Sequence, residues 1–364
     1  MNNRKIKVGV VFGGKSGEHE VSLHSAHSVI ENLDPDKFEV LPIGIDKKGT
    51  WHVGVGAYNA LGAPVPPRLL GEGTQEEDIK DLLPVAHGNV LPAQSAAEVD
   101  VILPVLHGPL GEDGTVQGLF ELMNVPYVGA GVLASAVGMD KAMMKAVFAQ
   151  AGLKQCRYEV VMRSAFEKDA ESVLDQVENS LGYPCFLKPA NLGSSVGISK
   201  ARNREELRAG MELAAKYDRK IIIEEFVDGR EIEVAVLGND EPRASLPGEI
   251  VAGAEFYDYD AKYVSGSSTM VIPAEMTQEQ IADVRELALR AYRSIDGSGL
   301  SRVDFFLDRK TGAFLINEIN TFPGFTKFSM YPKMWEATGL SYDQLLETLI
   351  HLAIERHEDK NRER

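Results

Sequence analysis

Two short segments near the C-terminus carry residue types that bind metal ions and anions. Residues 301–308 (SRVDFFLD) and 313–320 (AFLINEIN) are rich in apolar, β-branched and aromatic residues, which favours strands. The residues between them, RKTG, are typical of a turn. The sequence therefore predicts an antiparallel hairpin that turns at Thr311.

This hairpin would bring four polar side chains to one face. Its register places Asp304 opposite Glu318 and Arg302 opposite Asn320, and residues two apart on a strand share a face. Facing carboxylates repel, so an Asp–Glu pair beside an amide indicates a cation between them. The alternative is an exposed hairpin face with scattered charges.

A Pro-Gly loop follows the second strand directly. Residues 321–326 read TFPGFT, and Ser329 lies three positions further on. Such a loop offers backbone N–H groups and hydroxyls beside the expected metal, an arrangement suited to an anionic intermediate.

The composition limits the classes of protein. The chain has 364 residues, 44% hydrophobic and 25% charged, which is typical of a soluble protein of two or three domains. A formal net charge of −16 argues against a nucleic-acid partner. No apolar run is long enough to span a membrane, and the N-terminus reads as a strand rather than a signal peptide. With only Cys156 and Cys185, a reducing cytoplasmic location is expected.

The N-terminal part alternates strands with helices. Residues 6–12, 38–45 and 99–106 read as buried strands, and a helix with apolar positions at helical spacing follows the first. This order predicts a doubly wound parallel sheet. Residues 51–97 are rich in Gly, Pro and small residues and receive no assignment.

From about residue 130 the pattern changes to hairpins and separate helices, which indicates α+β domains. A boundary is predicted at 129–133, a helix begins near Met139, and a last helix spans 341–357 with a Ser-x-x-Gln capping pattern. We predict three domains, at 1–130, 131–224 and 225–364.

The N-terminal segment 9–16 (GVVFGGKS) matches the P-loop spacing G-x-x-x-x-G-K-S. A P-loop needs its intervening residues in a loop, with their amides turned to phosphate. Here residues 10–12 belong to a strand, so the favoured interpretation is a tight Gly13-Gly14 turn that projects Glu18 from the start of a helix, at the sheet edge where α/β proteins bind ligands.

A second candidate phosphate loop lies at 186–198 (FLKPANLGSSVGI). It reads as a strand with Lys188, a Gly/Ser tip and a returning strand, so the backbone could approach phosphate beside a lysine charge. The alternative is a plain flexible hairpin. Lys141 opens a helix after GMD and is a second candidate cation.

Acidic residues end the apolar strand 221–227 (IIIEEFV). Glu224, with Glu231 in the following GREIEV, could accept hydrogen bonds from an adenine amino group or ribose hydroxyls, although glutamates at strand ends are usually solvated. The polar stretch 253–270 has the length of a lid, and its residues Tyr257, Lys262 and Tyr263 support that interpretation.

Eight segments, taken in order, resemble one known family. They are GGKSGEHEVS (13–22), LHGPLGEDG (106–114), GMDK (138–141), KPANLGSSVGISK (188–200), EEFVDGREIEV (224–234), YDYDAKY (257–263), SRVDFF (301–306) and NEINTFPGFT (317–326). Together they resemble D-alanine:D-alanine ligases, and they span most of the chain except 51–97. The resemblance implies an ATP-grasp fold, with an N-terminal doubly wound domain and two α+β domains that clasp ATP.

The resemblance also implies a reaction. ATP phosphorylates the carboxylate of one D-alanine, and the amine of a second D-alanine attacks the acyl phosphate to give a dipeptide for bacterial cell-wall precursors. Two Mg²⁺ ions, with Mn²⁺ as an alternative, and a homodimer are further implications. The chemistry suits charge neutralisation by metals, lysines and an arginine, under a lid that excludes water.

By motif match, the resemblance assigns roles to residues of this sequence. Nucleotide binding is expected from Lys141, Lys188, Glu224 and Glu231, with the backbones of Glu225 and Val227 at the adenine edge. Metal binding is expected from Asp304, Glu318 and Asn320. Oxyanion and substrate contacts are expected from Arg302, the backbone of Gly324, Ser329, Glu18 and His107. Hydrogen bonds from Ser194 and Tyr263 to Glu18, and contact of Lys262 with the transferring phosphate, are expected in the closed lid.

Two other functions share some of these features. A related ligase that makes a D-alanine:D-lactate depsipeptide would keep the nucleotide site and differ in the lid. A non-catalytic nucleotide-binding protein would keep Lys188 and the glycines but would not need Asp304, Glu318 and Asn320 together.

Overall fold

The computed structural model describes residues 4–70, 84, 86–89, 91, 95, 97–193, 196–251 and 269–362. Within these residues the strands form three sheets. The first sheet contains β1 (Ile6–Gly13), β2 (Phe38–Ile45), β3 (Trp51–Val53), β4 (Ala86–Gly88) and β5 (Val101–Val105), in the order β4-β3-β2-β1-β5. β1 is parallel to both β2 and β5, whereas β3 and β4 add antiparallel strands at one edge.

The helices of this N-terminal region follow the expected alternation. They are α1 (His19–Asn32), α2 (Ala57–Leu61), α3 (Thr115–Leu122) and α4 (Val132–Met139), with a 3₁₀ turn at Pro67–Leu69. The sequence prediction missed α4 and placed a boundary across its start. Its residues, VLASAVGM, are small or apolar at almost every position, so no amphipathic period marks it as a helix.

The second sheet is antiparallel and lies between residues 158 and 225. It contains β6 (Tyr158–Met162), β7 (Cys185–Pro189), β8 (Ser199–Ala201) and β9 (Lys220–Glu225), in the order β6-β9-β7-β8. The accompanying helices are α6 (Arg163–Lys168), α7 (Ala170–Ser180) and α8 (Arg204–Tyr217), whereas α5 (Lys141–Gln150) packs through Met144 and Phe148 against the third sheet described below. Asp140 caps α5 through its side chain, which accepts hydrogen bonds from two backbone N–H groups of the first turn.

The third sheet carries the predicted hairpin. It contains β10 (Gly229–Leu237), β11 (Arg243–Ala244), β12 (Gly248–Val251), β13 (Thr269–Val271), β14 (Leu300–Asp308) and β15 (Phe314–Asn320). The order is β13-β12-β10-β14-β15, with β11 paired to β10. The last helices are α9 (Gln278–Ser294), α10 (Met330–Ala337) and α11 (Tyr342–Lys360).

Helix α11 packs into the N-terminal core. It begins at the predicted capping box, in which Ser341 and Gln344 bond reciprocally. Its apolar face shares one hydrophobic cluster with β1; the members are Leu345, Leu346, Leu349, Ile350, Ala353, Val8, Val10 and Phe12. The last helix of the chain therefore stabilises the first strand by packing against it. The predicted domain boundaries at 130/131 and 224/225 stay a prediction.

Candidate functional site

A cleft of about 820 Å³ lies where the three sheets meet. Most of the residues singled out in the sequence line it: Glu18, His107, Lys141, Lys188, Glu224, Val227, Glu231, Arg302, Asp304, Glu318, Asn320, Gly324 and Ser329. Ser194, Tyr257, Lys262 and Tyr263 lie outside the described residues.

The hairpin of β14 and β15 has the predicted register where it meets the cleft. Asp304 pairs with Glu318, and Arg302 pairs with Asn320. Beyond Asp304 the register shifts by one, and Phe305 pairs with Ile316. The prediction of one uninterrupted register from Thr311 is therefore wrong in the turn half, because a β-bulge intervenes.

Arg302 lies against the Asp304 carboxylate in a two-pronged contact. Its Nε and Nη2 donate to Oδ1 and Oδ2 of Asp304 at 2.7 and 2.6 Å. Asn320 Nδ2 donates to Asp304 Oδ2 at 3.0 Å, which leaves the amide oxygen of Asn320 to face another group. On the other side, Lys141 Nζ lies 3.7 Å from Glu318 Oε2.

These oxygen donors suit a hard divalent cation. Asp304 and Glu318 face each other on adjacent strands, and an ion between them would relieve their repulsion. Among the described residues no three His, Cys, Asp or Glu side chains are close enough to hold a metal, so the donor set here is two carboxylates and the Asn320 amide.

The Lys188 loop holds a buried cluster of charges. Glu224 accepts from Lys188 Nζ at 2.6 Å through Oε2 and from Lys145 Nζ at 2.7 Å through Oε1. Burial would raise the pKa of Glu224, but the charges of the two lysines outweigh it and hold the pKa well below its usual range. Burial acts against the charged form of Lys188, and Glu224 and Glu318 raise its pKa instead. Both lysines therefore stay protonated, giving the cluster one excess positive charge for an anion.

Sequence reasoning missed Lys145, whose side chain is fully buried. The signal was its position four residues after Lys141 on α5, which places both lysines on one face of the helix. Lys141 Nζ donates to the Leu192 carbonyl at 2.9 Å, so one lysine holds the loop while the other holds Glu224.

Glu225 ends β9 and is not among the residues that line the cleft, whereas Val227 is. The Glu225 N–H donates to the Arg157 carbonyl at 3.0 Å, and its carboxylate pairs with the Arg157 side chain at 2.6 Å. Of the two backbone groups of Glu225, the carbonyl is thus the one suited to a ligand donor. Val227 lines the cleft beside the rings of Phe186 and Phe226, which form an aromatic wall absent from the sequence prediction.

Near α1, three titratable side chains converge. The Glu112 carboxylate lies 4.0 Å from Nδ1 of the buried His107 and accepts from the Gly108 N–H at 2.9 Å. Glu18 lies close by, because a Cβ built on Gly108 would stand 2.5 Å from Glu18 Oε2. Burial lowers the pKa of His107, but its interaction with the Glu112 carboxylate and the charge of Glu18 raise it on balance. The motif LHGPLGEDG contained Glu112, yet sequence reasoning assigned it no role.

The P-loop alternative does not fit the N-terminal segment. Residues 10–12 belong to β1, and Gly13 and Gly14 form the predicted tight turn with φ of 90° and 99°. A Cβ at Gly13 would stand 2.2 Å from the Ile45 carbonyl, so the turn requires glycine. Lys15 lies against Gly49, outside the cleft lining.

The loop after β15 closes the cleft beside the hairpin. Ser329 is the N-cap residue of α10, and its Oγ accepts from the Thr326 N–H at 3.1 Å. A Cβ at Gly324 would stand 3.4 Å from Ser329 Oγ, so the Gly324 backbone and the hydroxyl are neighbours. Both predicted substrate contacts therefore lie at one end of the cleft.

Three sheets around a cleft with a lysine loop and an acidic hairpin define an ATP-grasp fold. The sequence model of the protein family D-ala D-ala ligase N-terminus matches residues 7–130, and the family model D-ala D-ala ligase C-terminus matches residues 147–351. The chain belongs to the D-alanine:D-alanine ligase family.

Individual relatives agree with this placement. A D-alanine:D-alanine ligase of Heliobacterium modesticaldum is 55% identical over 98% of this chain and 97% of its own length. Among solved structures, the D-alanine:D-alanine ligase of Coxiella burnetii has a TM-score of 0.79 at 35% identity, covering 98% of this chain and 96% of its own. The VanG D-Ala:D-Ser ligase of Enterococcus faecalis has a TM-score of 0.81 at 38% identity, covering 96% of this chain and 100% of its own.

Among the described residues, no helix is both long and apolar enough to cross a lipid bilayer.

Proposed function

We propose that this protein joins two D-alanine molecules into D-alanyl-D-alanine at the expense of ATP, for peptidoglycan precursors. The observation that carries the proposal is the convergence, in one cleft, of the Lys188–Glu224 cluster and the Asp304–Glu318 hairpin. The first suits a nucleotide, and the second suits the metal and the reacting phosphate.

The nucleotide would lie between the second and third sheets. Glu224 is ionised and can only accept, so it suits an amino group such as that of adenine. The Glu225 carbonyl and the Val227 N–H would meet the base edge, and Glu231 would meet the ribose. Lys141 and Lys188 would then neutralise the phosphates.

The donor set of the hairpin supports two Mg²⁺ ions held by Asp304, Glu318 and Asn320. When bound, such ions neutralise the charge that repels two anionic reactants. Mn²⁺ has the same ligand preferences in outline and is proposed as an alternative.

The reaction proceeds in two balanced steps. A carboxylate oxygen of the first D-alanine takes the γ-phosphoryl group, and ADP leaves. The amine of the second D-alanine then attacks the acyl carbon, loses a proton, and expels phosphate as the amide forms. Glu18 would hold the first ammonium with His107 near it, and Ser329 would hold the second carboxylate.

The oxyanion formed in the second step would need positive charge and hydrogen-bond donors beside it. We propose that Arg302 and the Gly324 N–H stabilise it, because both lie in the cleft beside the hairpin. Ser194, Lys262 and Tyr263 remain proposed members of the closed site, from the sequence alone.

The deciding experiment measures phosphate release from ATP with D-alanine, and compares D-serine, D-lactate and L-alanine as acceptors beside it. We expect ADP, phosphate and D-alanyl-D-alanine in equal amounts with D-alanine alone. Phosphate release only with D-serine or D-lactate would place the protein in another branch of the family. ATP hydrolysis without a ligated product would refute ligation.

Two further properties are proposed. A homodimer is supported by Leu122 and Leu133, which are 88% and 60% exposed on the contacting helices α3 and α4. Light scattering on the wild type and a Leu122→Glu, Leu133→Glu variant would test the dimer.

A cytoplasmic location is supported by the need for ATP and by the two buried, free thiols Cys156 and Cys185.

A further inference from the structure

A third carboxylate stands in line with the two of the hairpin. Glu233 on β10 pairs with Asp304 on β14, and Asp304 pairs with Glu318 on β15. Three acidic residues thus occupy facing positions on three neighbouring strands, where like charges repel unless cations lie among them. Glu233 is 7% exposed, so solvent does little to relieve this repulsion.

The cation beside Glu233 is Arg302. Arg302 Nε lies 3.1 Å from Glu233 Oε2, in addition to its two-pronged contact with Asp304. Burial opposes the charged form of Arg302, and Asp304 and Glu233 together raise its pKa. Nε and Nη2 contact Asp304, and Nε also lies beside Glu233, so one guanidinium is shared between the two carboxylates.

Asp304 serves two partners in the proposed function. As a metal ligand it shares its charge with the ion, which weakens its hold on Arg302. Glu233 is placed to keep the guanidinium fixed. Glu233 Oε2 lies 3.1 Å from Arg302 Nε, so its position fits a partner of Arg302.

We infer that Glu233 is a positioning residue: it holds the Arg302 guanidinium in place for the developing oxyanion, so that Asp304 stays available to the metal. This inference rests on the proposed function of Arg302. Sequence reasoning passed over Glu233, although it alternates with Glu231 in GREIEV and so shares its face of the strand.

The test begins with Glu233→Gln, which keeps the volume and removes the charge. We expect kcat to fall about tenfold or more through misplacement of Arg302, while KM for ATP changes little. Because Arg302 then pairs with Asp304 alone, Mn²⁺ titrated in the presence of ADP and followed by electron paramagnetic resonance should bind several-fold more weakly.

A matched control removes another carboxylate of the same sheet that pairs with an arginine. Glu249 on β12 pairs with Arg230 at 2.5 Å and does not line the cleft. Glu249→Gln should leave kcat and Mn²⁺ affinity unchanged. Equal losses in both glutamine variants would reduce Glu233 to a structural role and overturn the inference.

A double-mutant cycle with Arg302→Lys separates the inference from the proposed function. If Glu233 acts through Arg302, adding Glu233→Gln to Arg302→Lys lowers kcat little further. Full additivity overturns the inference. Wild-type turnover in Arg302→Lys, by contrast, refutes the role of Arg302 itself.

Discussion

The Lys188 ammonium lies 2.6 Å from Glu224 Oε2, and the Lys188 loop faces the acidic hairpin across the cleft. This contact holds the Lys188 ammonium at the cleft, where phosphate oxygens could bind it together with Glu224 or in place of it. It also distinguishes Lys188 from Lys15, the lysine of the P-loop-like segment, which lies outside the cleft lining.

The first prediction compares these two lysines. Lys188→Ala should weaken ATP binding by about 1.5–3 kcal/mol, the usual range for hydrogen bonds to charged groups. Lys15→Ala should leave the affinity unchanged. Isothermal calorimetry with ATP and Mg²⁺ checks both, and the reverse order of affinities would restore the P-loop interpretation.

The second prediction concerns Glu318, which faces Asp304 in the hairpin. Glu318→Gln removes one of two repelling charges, so the fold should remain intact. The variant should lose several kcal/mol of transition-state stabilisation, which corresponds to a turnover lower by a factor on the order of a hundred or more. Steady-state rates over a Mg²⁺ titration, with thermal unfolding as the control for folding, make the measurement. Near wild-type turnover at saturating Mg²⁺ would remove Glu318 from the metal site.

Sequence periodicity was sufficient where one short-range rule decides the structure. The alternation of side chains placed Asp304 opposite Glu318, and the capping pattern at Ser341 located the start of α11. The position of residues 10–12 in β1 followed from their apolar run. Each of these features depends on neighbours within a few residues.

Long-range packing was beyond the same rules. The contact of Lys145 with Glu224 joins a helix to a strand far along the chain, and the spacing from Lys141 indicates the helix face of Lys145 but not its burial. The packing of α11 against β1 is likewise a tertiary choice between several apolar surfaces. The β-bulge beyond Asp304 shifts the strand register by one residue, and the alternation of side chains in the sequence does not predict such a bulge.

The third prediction uses the pKa of His107. Glu112 and Glu18 raise it against burial, so removing the Glu112 charge should leave burial dominant and lower the pKa. In Glu112→Gln, NMR titration of the His107 ring should move to lower pH than in the wild type. His357 on α11, whose pKa is lowered chiefly by burial, is the control and should titrate alike in both proteins. An unchanged titration curve of His107 would mean that Glu112 does not stabilise the protonated ring.

The fourth prediction concerns acceptor choice and rests on the sequence alone, since Tyr263 lies outside the described residues. Tyr263→Phe removes one hydrogen bond proposed to join Ser194 and Glu18, about 0.5–1.5 kcal/mol. Dipeptide synthesis should slow, and D-alanine:D-lactate synthesis should increase at low pH, where the competing amine is protonated. Mass spectrometry of products between about pH 6 and pH 9 checks this. If depsipeptide never exceeds the parent level, the lid excludes water without setting specificity.

The last prediction concerns charge balance around Glu224. Glu224→Gln leaves Lys145 and Lys188 without the carboxylate that lies between them, and uncompensated buried charge costs about 3–5 kcal/mol. Lys145→Met leaves the Lys188–Glu224 pair neutral, so it should destabilise markedly less. Urea unfolding at pH 7 measures both variants against the wild type.

The effect of pH gives this prediction a second readout. The pKa of Glu224 is depressed below its ordinary value of 4.5, so its ionised form contributes stability above that value and loses it as the pH falls toward the folded pKa. The stability gap between the wild type and Glu224→Gln should therefore be constant near neutrality and narrow in acid, down to the lowest pH at which both proteins fold. Lys145→Met as the more damaging change, or a gap that widens in acid, would show that Glu224 is not held ionised by the two lysines.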